Sequence, residues 1–240
     1  KDVVESLEIP IYCHNGRPSV NTRDILKIIC IQEYSGLSSW RIESELRIAK
    51  ELGIIDNVYM RSTINEYMGK QEISKYLEEL IKLISMPLAE IETILAVDST
   101  GISVAYGKKV WREIREEYQL HKEYKKLHII CGVKSNIVFS AKITIGTAHD
   151  SPPFKELLEK ATKITKAREL CGDGAYANRK TAELISSKGM IPYLMPRKDT
   201  VIRNKGSSVW GNMVRLWHNN LPLFKLHYHQ RSNVESCFSM

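Results

Sequence analysis

Apolar residues recur at helical spacing through the first third of the chain and gather into short strand-like runs beyond it. Asn21-Thr22 stand before Asp24, and Ile25, Leu26, Ile28 and Ile29 supply one apolar face, so a helix is expected from there to Tyr34-Ser35-Gly36. Ser38 or Ser39 caps the next helix, with Trp40, Ile42, Leu46 and Ile48 as its apolar positions up to Gly53. Two helices joined by a short glycine-containing turn make a helix-turn-helix-like unit. Such a unit either reads a DNA groove or packs as an ordinary helical hairpin. Further helices are expected over 62–68 and 72–85, and Pro87 then breaks the pattern. The domain boundary is placed at about residue 90, giving a helical domain over 1–90 and a second domain over 91–240.

From Ile94 the pattern changes. Ile94–Val97 is a short apolar run of buried-strand type, ended by Asp98-Ser99-Thr100-Gly101. The charged stretch 107–126 reads as a helix or an exposed excursion. Leu127–Val133 and Ile137–Thr144 read as strands joined by Lys134-Ser135-Asn136, hence a hairpin. Asp150 or Ser151 caps a helix opened by Pro152-Pro153. A strand over Ala167–Cys171 leads to Asp173, Asn178 caps a helix that Gly189 stops, and a strand over Met190–Met195 follows. A basic stretch with Arg197, Lys198, Arg203 and Lys205 precedes Trp210 and Trp217, and a final helix carries Glu235. This order predicts a mixed α/β sheet flanked by helices, preceded by a small all-α domain.

The end of the chain concentrates the chemistry. Tyr228, Arg231 and Glu235 stand at i, i+3 and i+7, which puts a phenol, a guanidinium and a carboxylate on one stripe of a continuous helix. Asp98, ending a strand, and Asp173, in Cys171-Gly172-Asp173-Gly174, are the two acids that can complete a site with Glu235. Sites in mixed α/β sheets gather beyond the C-terminal strand ends. If the strands bearing Asp98 and Asp173 are parallel neighbours, the two acids emerge side by side. Three carboxylates together suit a hard divalent cation such as Mg²⁺.

Charge strengthens this reading. The chain carries +7 overall, distributed as −4 over residues 1–95 and +11 over 96–240. A positive field around a carboxylate site suits a polyanionic substrate, although a lysine-rich solvated surface has the same charge. Five cysteines without Cys-x-x-Cys spacing argue against a disulfide framework or zinc site and favour a cytoplasmic location. Cys131 and Cys171, in apolar runs, read as small core residues. No apolar run reaches the ~18 residues of a membrane span. Gly172 and Gly174 lack phosphate-loop spacing, so nucleoside triphosphate binding is not indicated. The start has neither an initiator Met nor a signal-peptide pattern, so the chain reads as a fragment there.

The arrangement resembles the DDE transposases of insertion sequences, whose catalytic domain is ribonuclease-H-like. Asp98 in Val-Asp-Ser-Thr matches the first catalytic acid of that family, and Asp173 in Gly-Asp-Gly-Ala-Tyr the second. Tyr228, Arg231 and Glu235 match its Tyr-x2-Arg-x3-Glu signature, whose Glu is the third. His149-Asp150-Ser151 and the helical region with Gly36-Leu37-Ser38-Ser39 also fit the pattern. The family signature continues to a Lys seven residues past the Glu, whereas this chain ends at Met240, so a C-terminal truncation is expected. The resemblance implies a ribonuclease-H-like fold and an enzyme that cuts the ends of an insertion sequence and joins them to target DNA. It implies Mg²⁺, with Mn²⁺ as substitute, held by Asp98, Asp173 and Glu235. Double-stranded DNA is the implied partner, and a homodimer would hold two ends together.

Arg231 and Tyr228 then bind phosphate, or else form a structural pair that neutralises the acids when metal is absent. His149 approaches the site or makes a structural hydrogen bond, and Trp210 and Trp217 stack on a base or pack in the core. The alternative function is a catalytically inactive remnant that only binds DNA. A ribonuclease-H-like nuclease without strand transfer is a third reading.

Overall fold

The computed structural model describes residues 2–10, 19–103, 124–202 and 206–239. These form two compact units that divide between Ile84 and Ser85.

The first unit is helical: α1 (Asp2–Glu5), α2 (Thr22–Ser35), α3 (Glu43–Glu51), α4 (Arg61–Met68) and α5 (Gln71–Ser85). Its organising element is α2. Asn21 caps it by accepting from the Arg23 N–H, and Gly36 closes it in the left-handed region at φ 63°. Two apolar faces of α2 are used. Ile25, Leu26 and Ile29 pack with Ile73 and Leu80, and Ile28 packs with Ile42, Leu46 and Ile64. The second helix begins later than expected, at Glu43, because residues 39–42 form turns. Trp40 and Ile48 are therefore exposed rather than core positions. The Arg61 guanidinium lies 3.5 Å over the Trp40 ring, which covers part of it.

The second unit is built on a five-stranded sheet: β1 (Ile94–Ser103), β2 (Tyr124–Gly132), β3 (Val138–Ile145), β4 (Glu169–Gly172) and β5 (Ile191–Leu194). The order across it is β3-β2-β1-β4-β5. β2 is antiparallel to both its neighbours, and β4 is parallel to β1 and to β5. This is the mixed, ribonuclease-H-like sheet, with α6 (Ser151–Thr162), α7 (Arg179–Ser187), α8 (Ser208–Asn219), α9 (Leu221–Tyr228) and α10 (Asn233–Ser239) around it. One face carries Leu95, Val97 and Ile130, packed with Phe154, Leu157 and Leu158 of α6. Each such buried side chain contributes roughly 1.5–3 kcal/mol. The other face carries Ala96, Ile129 and Cys131, packed with Val234 of α10. Cys131 and Cys171 are fully buried, and burial pushes the Cys171 thiol up to about 12.

Four expectations change. β1 does not end at Asp98 but runs on to Ser103, because β2 pairs with it along that whole length. Of the charged stretch 107–126, residues 124–126 belong to β2, and the rest lies outside the described residues, as do Arg203 and Lys205. The chain from Tyr228 to Glu235 is not one α-helix: a 3-10 turn, His229–Ser232, separates α9 from α10. Asp150 occupies the N-cap position of α6 but makes no capping hydrogen bond.

The hairpin between β2 and β3 is held from below by a buried carboxylate. Glu92, 2% exposed, accepts from the backbone N–H groups of Lys134 and Ser135. Gly132 makes room for it, since a Cβ there would sit 2.4 Å from the Glu92 carboxyl carbon. Gly132→Ala is expected to cost ~1–3 kcal/mol through this overlap, read as a lower urea midpoint.

Candidate active site

The pairing of β1 with β4 runs from Ile94–Glu169 to Val97–Gly172 and stops there. Asp98, still within β1, and Asp173, just past the end of β4, are the next residues along, so the two acids stand side by side on adjacent parallel strands. Their approach depends on Gly172. A Cβ at that position would lie 2.8 Å from Val97 Cγ1 and 3.0 Å from Leu194 Cδ2, so only glycine lets the three strands close up beneath the acids.

Side chains alternate along a strand, so Asp98 points to the same face as Ala96. That is the face on which α10 packs through Val234. Asp98 is mostly buried, with 15% side-chain exposure, and Glu235 is open at 69%. The two are joined by Arg231. Its Nη1 donates to Asp98 Oδ2 at 2.5 Å, and its Nη2 lies 3.7 Å from Glu235 Oε1. Tyr228 acts electrostatically on Arg231 and stacks on Phe224 at 6.0 Å. The tyrosine and arginine thus meet despite the 3-10 turn between the helices. The remaining oxygen of Asp98, Oδ1, accepts the Ser99 N–H at 2.8 Å. Asp173 Oδ1 accepts the Ala175 N–H at 2.9 Å.

Electrostatics link the three acids. Burial pushes the Asp98 carboxyl above its ordinary range, and the charges of Asp173 and Glu235 push the same way, against the Ser99 N–H and Arg231. Burial works against the Arg231 charge, but Asp98, Tyr228 and Asp173 outweigh it and hold the guanidinium protonated. All the acidic donors are carboxylate oxygens, which fits a hard divalent cation. Among the described residues, no three acids already stand together at metal-ligating distance. In this arrangement Arg231 supplies the positive charge between Asp98 and Glu235.

Other residues noted in the sequence play different parts. His149 is exposed. Trp210 and Trp217 are half-buried and pack against the core from α8. Sequence reasoning missed a polar cluster beside the acids: Lys126, His128, Asp150 and Tyr176. The one sign of it was a histidine inside the apolar run Leu127–Val133.

Comparison with known families matches residues 90–240 to the transposase DDE domain. The chain belongs to that family. Among solved structures, similarity is found to piggyBac transposase in a synaptic complex with hairpin DNA, at 8% identity and a TM-score of 0.40. That match covers 98% of this chain and 62% of the piggyBac chain, so this chain spans less than two thirds of that protein's length. The Mos1 transposase paired-end complex with the left transposon end is similar at 10% identity and a TM-score of 0.30, covering 94% of this chain and 82% of that one. Among the described residues no helix is long and apolar enough to cross a membrane.

Proposed function

We propose that this DDE-family chain is a metal-dependent DNA transposase. It cuts the ends of an insertion sequence and joins them to target DNA by phosphodiester hydrolysis followed by transesterification. The observation that carries the reading is the emergence of Asp98 and Asp173 side by side past the last β1–β4 pair, with Glu235 tied to Asp98 through Arg231. Asp98, Asp173 and Glu235 would hold Mg²⁺, or Mn²⁺ in its place. The bound cations would relieve phosphate charge, activate the attacking oxygen and stabilise the leaving one. Arg231 and Tyr228 orient the phosphate: a guanidinium freed from Asp98 offers paired N–H donors to phosphate oxygens. No side-chain nucleophile is needed, since water and then a DNA 3′-hydroxyl attack at the same centre. Duplex DNA is the proposed partner, a homodimer would bring two element ends together, and the helical unit ending at Ile84 would serve as the N-terminal domain of the same enzyme.

One observation favours the alternative of a DNA-binding remnant without catalysis, namely that the three acids are not gathered at ligating distance among the described residues. A single experiment separates the two. The chain is incubated with a labelled duplex carrying the element's own end, with Mn²⁺ or Mg²⁺ and with chelator. Nicks that need metal, and joined products when two ends are supplied, are expected. Tight DNA binding with no nick at any metal concentration would leave the remnant reading standing. Nicks without joined products would make the protein a nuclease.

A further inference from the structure

We infer that a buried polar knot of His128, Asp150 and Tyr176, on the sheet face opposite Asp98, sets the spacing of Asp98 and Asp173 and so positions both for a divalent cation. This rests on the reading of those acids as metal ligands.

His128 stands on β2 opposite Ser99 on β1 and is fully buried. Alternation along β1 turns Ser99 to the face away from Asp98. There, His128 Nε2 shares a hydrogen bond with Thr144 Oγ1 at 2.9 Å. Its Nδ1 faces the Tyr176 hydroxyl at 3.5 Å and Asp150 Oδ1 at 3.4 Å. Asp150 Oδ1 also accepts from Ser99 Oγ at 3.1 Å and from Lys126 Nζ at 2.7 Å. From this centre one path leads to each acid. Ser99, held by Asp150 through its hydroxyl, donates its own N–H to Asp98. Tyr176 is fully buried, with its ring 5.7 Å from that of Phe154, and donates its N–H to the Asp173 carbonyl at 3.2 Å.

Strand pairing cannot do this work, because the β1–β4 ladder ends one residue before each acid. Past that point the knot ties the acid-bearing segments together. Its chemistry argues for specificity rather than stability, since apolar side chains of the same volume could fill such a site at little cost, whereas a buried polar set demands one geometry. Asp150 bonds Ser99 on the face away from Asp98, so its carboxylate supports the acids and does not join them as a fourth ligand. His128 and Asp150 are therefore positioning residues.

The test uses the whole chain with Mn²⁺ as probe. Bound Mn²⁺ is read from loss of the free-ion electron paramagnetic resonance signal, alongside thermal melting and nicking against Mn²⁺ concentration. His128→Phe is expected to weaken Mn²⁺ binding roughly 10–100-fold, the range seen when ligand supports are removed, and to raise the Mn²⁺ needed for nicking in step. His128→Gln, which keeps a hydrogen-bonding side chain, should recover most of the affinity. Should His128→Phe not fold, Asp150→Asn keeps the side-chain shape and carries the same expectation. A folded variant that melts lower but binds Mn²⁺ like the parent would reduce the knot to a structural feature and overturn the inference alone. Parent binding that is indifferent to Asp98→Asn and Asp173→Asn would overturn the metal-site reading and the inference with it.

Discussion

Asp98→Asn is expected to remove metal-dependent cutting while the chain still folds and still binds duplex DNA. Asp98 is the acid on which the site converges: it takes the Ser99 N–H on one oxygen and Arg231 on the other, with Asp173 and Glu235 close enough to raise its carboxyl. Asparagine keeps an acceptor for Ser99, so the backbone of β1 is undisturbed. It loses the anionic oxygen, and its amide is a poor ligand for a hard cation. Removing a group that merely supports a ligand costs roughly 10–100-fold, so losing a proposed ligand itself should exceed that range. Asp173→Asn and Glu235→Gln should act in the same direction. The fold should survive, because the substitution takes a mostly buried charge out of the protein. Arg231 keeps Glu235 as a second carboxylate. Nicking rates at saturating Mn²⁺, filter binding and thermal melting measure the three claims. An Asp98→Asn protein that nicks within about tenfold of the parent, a barrier difference of only ~1.4 kcal/mol, would remove Asp98 from the chemistry.

How much of this was legible in the sequence depends on how far each cause lies from its effect along the chain. The start and end of α2 could be read because the cap and the closing glycine are local: Asn21 and Gly36 act within a turn of the helix they bound. Asn178 and Gly189 were legible for the same reason; the Asn178 side chain accepts from the Thr181 N–H and Gly189 adopts φ 80°. The three acids were singled out through their motif contexts, and strand order explains why Asp98 and Asp173 lie on neighbouring strands. What could not be read was set by distant partners. Asp98 lies inside β1, not at its end, because β2 begins at Tyr124, within a stretch whose lysines hid its strand character. The break between α9 and α10 has no glycine or proline to announce it. Asp150 has the sequence position of a helix cap, yet Lys126 and Ser99, contributed by two strands, draw its carboxylate elsewhere.

Asp24 shows the same limit on the helical unit and leads to the second large effect. In the sequence it is an ordinary acid in the first turn of a helix. In the structure it is fully buried, and its two oxygens accept the backbone N–H groups of Asp56 at 2.9 Å and Asn57 at 3.0 Å. The Tyr59 hydroxyl, which accepts the Asn21 N–H at 3.0 Å, lies 3.5 Å from the same carboxylate. One side chain therefore fixes the turn at 56–57, between α3 and α4, to the start of α2. Asp24→Ala leaves two buried amides without acceptors, at about 1–3 kcal/mol each. An 84-residue unit has only roughly 4–12 kcal/mol of stability to lose. The expected result is loss of hydrogen-exchange protection at the Ile25, Leu26 and Ile28 amides and a much lower urea midpoint for the helical signal. Asp24→Asn should fall between, because its one oxygen satisfies one amide while its NH2 faces the other donor. Glu43→Ala supplies the contrast. That residue pairs with Arg47 at 2.7 Å on the surface, both side chains about two-thirds exposed, and its loss should cost less than about 0.5 kcal/mol. Equal effects from Asp24→Ala and Glu43→Ala would mean that the 56–57 turn holds itself and that α2 is organised by its apolar faces alone.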